Sequence, residues 1–259
     1  YLDSMPAYST LLAAKTRSVN DTRSIFGHAG ADYTKKFDNM GHNLRIGLNS
    51  RLTNNANEQW DNRFYDEYHS NLDEHRYMLS NSFGYGVSLD ARYNRTYNQD
   101  GELSYGLRVD HQHDNSTYDR YNDTIGVLVD ELRTYRFLGN ETSVNGDVNW
   151  THRWGGFTLS TGLGVGGDRI GYNYMSTMPF ADDSTLYFLN VRPSIHLTYR
   201  TDDMHNWKLN YSLRMSHPRE DQISTFRRYG EDSYSTGNPN GLKKSFTHNV
   251  EAGWQKFLR

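Results

Sequence analysis

Residues 76–94 alternate between apolar and polar side chains over a length that limits the fold more than any other feature of the chain. The odd positions are apolar or aromatic except Asn81, and the even positions are polar or glycine except Met78. A period of two places these two sets on opposite faces of a β-strand. Soluble strands usually have about 5–6 residues. A run of this length therefore predicts a transmembrane β-barrel strand, with one face toward lipid and the other toward a polar interior.

The same alternation recurs along the chain and predicts about nine strands. No segment shows a convincing 3.6-residue period, so the fold class is all-β, as an antiparallel up-and-down transmembrane barrel. The alternation accounts for about 8–9 long strands. The further stripes cover residues 44–52, 103–109, 144–150, 157–165, 187–199, 207–215 and 246–254, with a weaker strand over 25–37.

Composition is compatible with a barrel and excludes several other classes. The mean hydropathy is -0.88, and no run of about 18 apolar residues predicts a transmembrane helix. A barrel strand gives half of its residues to a polar interior, so a low average is expected. Aromatic residues make up 14% of the chain, which argues against disorder. The net charge of -3 gives no reason to expect nucleic acid, and the absence of cysteine excludes disulfides and thiolate metal sites.

The connections alternate between short and long. Short turns are predicted at 38–43, 98–101, 153–156 and 201–206, where Asp100-Gly101 and Gly155-Gly156 would supply positive φ angles. Long polar loops are predicted at 53–74, 114–141, 167–185 and 217–244. This layout is typical of outer-membrane barrels, which have short periplasmic turns and long extracellular loops.

Aromatic residues gather near the short turns, as expected for a ring of amphipathic side chains at one membrane interface. The alternative is that Tyr and Trp simply favour strands. The residues of this predicted ring are Tyr93, Tyr97, Tyr105, Trp150, Trp154, Tyr199, Trp207 and Trp254.

Several segments resemble the Bacteroidetes outer-membrane β-barrel family, which is related to TonB-dependent receptors. Residues 32–44 resemble its strand–turn–strand, and residues 192–200 and 209–214 with His217-Pro218 resemble later strands. Residues 237–243 and 248–254 resemble its Gly-Asn-Pro loop and the following strand. Gly241 is an extra residue there, and Lys244 and Ser245 replace the usual Pro and Glu. The resemblance spans residues 25–257.

The resemblance implies a barrel of about 22 strands around an N-terminal plug domain. Residues 1–259 would form part of that barrel, with the plug and the remaining strands outside this chain. The sequence starts at Tyr1 and ends with Lys256-Phe257-Leu258-Arg259, without the terminal aromatic residue usual in this class. We therefore expect an internal fragment of a longer polypeptide. Implied partners are outer-membrane lipid, the plug domain, TonB acting through that plug, a surface lipoprotein and a nutrient ligand.

Two sets of residues are candidates for binding a ligand. The first set would face the lumen, because an outward Arg at mid-membrane costs about 2–4 kcal/mol. The second set lies in the predicted long loops, where aromatic residues stand beside charged ones; plain surface is an equal alternative. The lumen-facing candidates are Arg76, Asp90, Arg92, Arg108, Asp110, Arg192, Arg200 and Arg214, and the loop candidates are Tyr118, Arg120, Tyr121, Phe226, Arg227, Arg228 and Tyr229.

Other patterns have simpler structural explanations. His111-Gln112-His113 could ligate Zn²⁺ or Cu²⁺, but the sequence fixes no third ligand. Glycines at 162, 164, 166 and 167 lack the Lys-Ser/Thr of a phosphate loop, and more simply leave room on the lumen side. Asp182-Asp183 and Asp202-Asp203 are adjacent carboxylates, which would point apart on a strand and so form no ready acid/base couple. Asp182 and Asp183 could help to bind Ca²⁺ in a loop. Ser212 and Ser216 lie near His217 and Asp221 in sequence, which alone does not build a catalytic triad.

The resemblance implies a nutrient receptor of the bacterial outer membrane, and we expect neither enzymatic activity nor a cofactor. Two other hypotheses stay open. One is a self-contained eight-stranded barrel acting as an adhesin or passive pore. The other is a soluble antiparallel β protein that binds carbohydrate.

Overall fold

The computed structural model describes residues 15–38, 41–64, 74–122, 128–176, 181–201, 205–229, 234–237 and 243–256, with the backbone alone at Tyr229 and Tyr234. Nearly all of these residues are in strands. The strands are β1 Lys15–Lys36, β2 Asn43–Phe64, β3 Glu74–Asn98, β4 Gly101–Asn122, β5 Leu128–Val129, β6 Tyr135–Trp154, β7 Phe157–Met175, β8 Asp182–Arg200, β9 His205–Ser216, β10 Arg228–Tyr229, β11 Tyr234–Ser235 and β12 Ser245–Lys256, and the described helix is α1 Glu220–Ile223.

One ten-stranded sheet contains all the long strands, in the order β1-β2-β3-β4-β6-β7-β8-β9-β12, with β5 beside β4. Every neighbouring pair is antiparallel, so the chain runs up and down across the sheet. The described part of the sheet does not close, because β1 pairs only with β2 and β12 only with β9. The all-β, up-and-down prediction and its nine long strands are confirmed.

The strands are much longer than the alternating stripes predicted. β3 has 25 residues, and β1, β2 and β4 have 22 each. A tilted strand needs about 9–11 residues to cross the hydrocarbon, so roughly half of each long strand extends beyond it. The prediction of long loops was wrong at 53–64, 114–122, 135–141, 167–175 and 182–185, which are strand. Backbone pairing continues there in polar sequence because the antiparallel ladder does not depend on which side chains it carries.

The register puts the apolar stripes of all long strands on one exposed face. Leu89 on β3 lies opposite Leu48 on β2 and Val109 on β4, and Val144 on β6 continues the row. Leu89 is 45% exposed, and no described element covers this face. An exposed apolar surface of this extent is what a barrel presents to lipid. The opposite face carries the polar residues and is called the polar face below.

The predicted aromatic ring lies on the apolar face, near the short turns. Trp154, Phe157 and Tyr199 stack in succession on β6, β7 and β8, with ring centroids 5.9 Å and 4.0 Å apart. Trp207 and Trp254 continue the series on β9 and β12 at 6.0 Å. On the other side, Tyr97 accepts a hydrogen bond of 2.9 Å from Trp150 Nε1, and Tyr93 and Tyr105 stack at 6.5 Å. This continuous girdle marks one membrane interface.

The strands end and begin on either side of the four short connections that the sequence predicted. Residues 39–40 and 202–204 in two of these connections lie outside the described residues. At the β6–β7 turn, Gly155 has φ of 53°, as the Gly-Gly pair predicted. The prediction for Asp100-Gly101 was wrong, because Gly101 begins β4 and has no positive φ. The ring of Tyr97 lies over Gly101, so a Cβ at this position would require that ring to move.

The two faces predict opposite responses to the same charged substitution. Leu89→Arg places a cation in the apolar band and should lower the free energy of unfolding by about 2–4 kcal/mol. The matched control Ser88→Arg, one residue away on the polar face, should cost much less. Urea titration of the protein refolded into phosphatidylcholine vesicles measures both. Equal losses for the two variants would contradict the assignment of the faces.

Candidate functional site on the polar face

The polar face carries all eight residues that the sequence placed toward the lumen. Asp90 and Arg108 lie opposite each other on β3 and β4, and Asn145 on β6 continues their row. The register places the other six on the same face, at even positions of β3, β4, β8 and β9. The register therefore shows that these residues share one face, and their role in lining a lumen stays a prediction.

Charged side chains on the polar face pair with one another around mid-strand. The Arg108 guanidinium donates to both carboxylate oxygens of Asp110, with distances from 2.8 to 3.0 Å. Arg92 lies 3.8 Å from Asp147, and Arg192 Nη2 donates to Asn145 Oδ1 at 2.8 Å. Such pairs hold long side chains in place on an otherwise solvated surface.

The remaining lumen candidates lie toward the two ends of this face. Arg76 binds Glu74 on the same strand, near the long-loop end. Arg200 lies beside the short β6–β7 turn, where its backbone N–H donates to Gly156 O at 2.8 Å. Arg214 is exposed on β9, opposite Thr247. These three residues lie apart from the mid-strand network.

A cavity of about 420 Å³ opens on the polar face across β1 to β6. Arg51 reaches over it and donates to Gln112 Oε1, while Gln112 Nε2 donates to Asp114 at 2.7 Å. Cationic, anionic and neutral hydrogen-bonding groups converge here, so the cavity suits a polar ligand. Its polar side chains are His28, Asn49, Arg51, Ser88, Arg108, Asp110, Gln112, Glu141 and Ser143.

Glycines beneath these side chains let them lie flat on the sheet. A Cβ on Gly86 would come 2.9 Å from Arg51 Nε, and one on Gly164 would come 3.4 Å from Arg192 Nε. Asp147 crosses Gly106 in the same way. On β7, Gly162, Gly164 and Gly166 therefore make room on the polar face. Gly167 and Gly171 face outward instead, opposite Val144 and Asn140.

The segment after β9 folds back over the polar face and covers the long-loop ends of β6, β7 and β8. Asp182 fixes it there, because its Oδ2 accepts hydrogen bonds of 2.7 Å from Ser224 Oγ and from the Thr225 backbone N–H. His217 stacks on Phe188 at 5.0 Å and lies 3.7 Å from Asp168, which is only 8% exposed. The segment 217–228, called the inner loop below, thus narrows the polar face near its outer end.

An apolar cluster holds the inner loop down. Phe226 is 3% exposed and stacks on Tyr174 at 4.8 Å, and Tyr135 contacts Phe226 at 5.2 Å. Burial raises the pKa of Tyr135 to about 12, and it raises the pKa of Tyr174 as well. Both phenols therefore stay neutral at physiological pH. The other members are Tyr172, Ile223, Phe137 and Leu186.

The predicted loop candidates fall into different environments. Tyr118 lies on the polar face, stacked on Tyr135 at 4.6 Å, while Tyr121 lies on the opposite face, stacked on Tyr77 at 5.8 Å. Phe226 belongs to the inner loop and is buried against Tyr174 of β7.

Among the arginines of that set, Arg228 lines a second cavity of about 410 Å³ and donates to Asp221 O at 2.8 Å. The Arg120 side chain is on the polar face and Arg227 is exposed. The side chain of Tyr229 lies outside the described residues. A shared ligand site for all seven residues stays a prediction.

Sequence reasoning missed the inner loop and part of the network. Arg51, Asp147 and Glu141 follow the same alternation on β2 and β6 and could have been included. The inner loop also left a signal, since apolar residues switch to the polar face at Ile170 and Tyr172 on β7. Apolar side chains on that face require a cover.

The other candidate motifs are not assembled into reactive centres. His111 and His113 lie on the outward face, bonded to Thr142 and Asn140 at 2.9 and 2.8 Å. No group of three or more potential metal ligands occurs among the described residues. Ser216 bonds to Ser245 at 2.6 Å rather than to His217.

The two acidic pairs differ in what the structure describes. Asp182 and Asp183 begin β8, so the expectation that they lie in a loop was wrong. Asp202 and Asp203 lie outside the described residues.

An antiparallel sheet with an exposed apolar band, an aromatic girdle and a polar opposite face is the wall of a transmembrane β-barrel. Residues 35–259 match the outer membrane protein beta-barrel family. The chain belongs to that family, and its location is the outer membrane. No curated protein shows a significant sequence match to it.

Three solved structures of longer proteins align with this chain. The ferric yersiniabactin uptake receptor from Yersinia pestis aligns with 95% of this chain at a TM-score of 0.51 and 11% identity, and 43% of that receptor is covered. A ferric citrate transporter aligns with 67% of this chain at a TM-score of 0.39 and 12% identity, and 27% of that transporter is covered. A mutant ferric enterobactin receptor from Pseudomonas aeruginosa aligns with 92% at 0.29 and 9% identity, with 52% of it covered. The first of these shows the shared barrel fold.

Truncating the buried ring of the inner loop should release that loop. Phe226→Ala removes the stack on Tyr174, and truncations of this kind cost about 3–5 kcal/mol in a packed core. Hydrogen exchange of the Gln222, Ser224 and Thr225 amides should then accelerate strongly. The control Phe246→Ala, on the exposed face of β12, should leave these amides protected. Unchanged exchange in Phe226→Ala would contradict the role of the cluster.

High pH should also loosen the inner loop. The folded cluster favours neutral Tyr135, so its contribution is complete below the ordinary tyrosine pKa of about 10 and is lost as pH rises toward 12. Because exchange of every amide accelerates with pH, the quantity to compare is the protection factor, which should fall in the inner loop between these values. Tyr135→Phe should weaken that dependence and Tyr105→Phe, in the girdle, should not. A pH response that is identical in both variants would contradict this assignment.

Proposed function

We propose that this chain is part of the barrel wall of a TonB-dependent-receptor-like protein that binds a nutrient at the cell surface and passes it inward. The resemblance of segments such as residues 32–44 suggests a Bacteroidetes member of this group. The chain itself does no chemistry and needs no cofactor in this role. TonB would supply the energy through a plug domain of the same polypeptide, and a surface lipoprotein would assist in capture.

The observation that carries this proposal is the arrangement of the polar face. A cavity lined by Arg51, Arg108 and Gln112 lies at mid-strand, and the inner loop narrows the same face nearer its outer end. A ligand entering from the long-loop side would pass the inner loop before reaching the cavity. A narrowed entrance above a polar binding surface suits selective uptake better than free diffusion.

The fold likeness supports the same role at a coarser level. The aligned Yersinia protein is a ferric yersiniabactin uptake receptor, and this chain covers 43% of its length. The two chains share 11% identity, so the likeness does not extend to the ligand. The class of nutrient is therefore to be found by experiment.

Growth of cells in media with single sources of iron, carbon or a vitamin tests the proposal. Cells lacking the full-length protein and cells lacking TonB should fail in the same medium, and the double mutant should be no worse. Arg51→Ala with Arg108→Ala should lower uptake there by about a hundredfold or more at low nutrient concentration, since hydrogen bonds to charged groups contribute about 1.5–3 kcal/mol each and every 1.4 kcal/mol is tenfold. Arg23→Ala, on the outward face of β1, is the control. Uptake independent of TonB would overturn the proposal.

A passive pore is the main alternative, because the polar face could equally line an open channel. Planar bilayers containing the purified full-length protein separate the two. The receptor should be closed under ordinary voltage and conduct only after its plug is deleted. Steady conductance by the unaltered protein would favour the pore.

A further inference from the structure

The outward face of β6, β7 and β8 contains a shallow groove of about 710 Å³ at the outer edge of the apolar band. Gly167 forms its floor, because it has no side chain and lies between Val144 and Leu189. Leu189 is 61% exposed and Val144 is 45% exposed. The groove is apolar along this row of three residues.

The groove lies at the outer membrane interface by its distance from the girdle. Trp154, Phe157 and Tyr199 form one register row near the short turns, at the inner interface. The row of Val144, Gly167 and Leu189 lies further along the same strands. Its separation from the girdle row matches the roughly 9–11 residues that a tilted strand needs to cross the hydrocarbon. The next outward row therefore emerges among the lipid headgroups.

That next row is polar and includes an unpaired cation. Thr142, Arg169 and Tyr187 lie side by side on the three strands. Arg169 is exposed, and it makes no ion pair or side-chain hydrogen bond with any residue that the structure describes. Tyr187 is 74% exposed. The other mid-strand arginines described above are paired, so Arg169 is available to a partner outside this chain.

We propose that this groove binds a phosphorylated glycolipid of the outer leaflet, with an acyl chain over Gly167 and a phosphate on Arg169. An arginine fork matches phosphate geometry and binds it with charge-assisted hydrogen bonds. The Tyr187 hydroxyl offers a further donor beside it. An apolar trough below an unpaired cation is complementary to an anionic amphiphile in both shape and charge.

The face beyond the groove favours a lipid with a large headgroup. Above Arg169 the outward face continues as paired strand with polar side chains, including Asn140, Asn173 and Thr185. A phospholipid headgroup would not reach this surface, because each residue along a strand adds about 3.3 Å. The sugars of a glycolipid would extend along it and find hydrogen-bonding partners.

The test uses the full-length protein in phosphatidylcholine nanodiscs that contain either diphosphorylated lipid A or phosphatidylglycerol. Native mass spectrometry counts the lipid retained by the released protein. Arg169→Ala should reduce lipid A retention by about tenfold, the loss expected for one charge-assisted contact. Gly167→Leu should reduce it too by filling the trough, and it fits because a Cβ there meets only Phe188 O at 3.7 Å.

Arg136→Ala is the matched control, because Arg136 is also an exposed arginine on the outward face of β6 but lies beyond the groove. It should leave lipid A retention unchanged. Unheated gel mobility shows first that each variant is assembled. The proposal is overturned if Arg169→Ala retains lipid A fully. It is also overturned if the unaltered protein retains phosphatidylglycerol as tightly as lipid A and Arg169→Ala loses both lipids equally. That result would make the groove a general phospholipid site.

Discussion

Hydrogen bonding between neighbouring backbones is the constraint on which the rest of this structure depends. Hydrocarbon offers no partner for a peptide N–H or C=O, so a chain that crosses it in extended form must pair every strand with a neighbour. The uninterrupted ladder from β1 to β12 meets that requirement within the sheet. Its length beyond the apolar band also builds the rigid rim from which the inner loop folds inward.

The fold could be predicted from the sequence because lipid and water act on alternate residues. Leu89 faces lipid and Ser88 faces the polar side, so the two residues had to differ in polarity. Repeated along the segment, that difference indicates a strand, shows which face each residue occupies and constrains the register with the neighbouring strands. The strand ends could not be predicted in this way. At residues 53–64 both faces meet water, so the alternation fades while the ladder continues. Hairpin pairing, rather than side-chain polarity, decides where β2 and β3 end.

The candidate site was predictable only as a face. Alternation placed Arg92 and Arg108 on the polar side, but it could not show that Arg108 pairs with Asp110 and Arg92 with Asp147. The inner loop depends on contacts between Phe226 and Tyr174, which are far apart in sequence. Such contacts follow from tertiary packing, and a pattern read along one strand carries no information about them. The one local sign of the inner loop in the sequence was the change at Ile170, where apolar side chains move to the polar face of β7.

The glycines under the charged side chains have a consequence for recognition. Arg51 and Arg192 rest on bare backbone at Gly86 and Gly164, and each is tethered to a neighbouring amide. A side chain confined in this way has already lost much of the rotamer freedom that a long arginine keeps in water. Less side-chain entropy then remains to be lost if a ligand binds to these arginines. The polar face of this sheet is in that sense preorganised, with its arginines held in place before anything touches them.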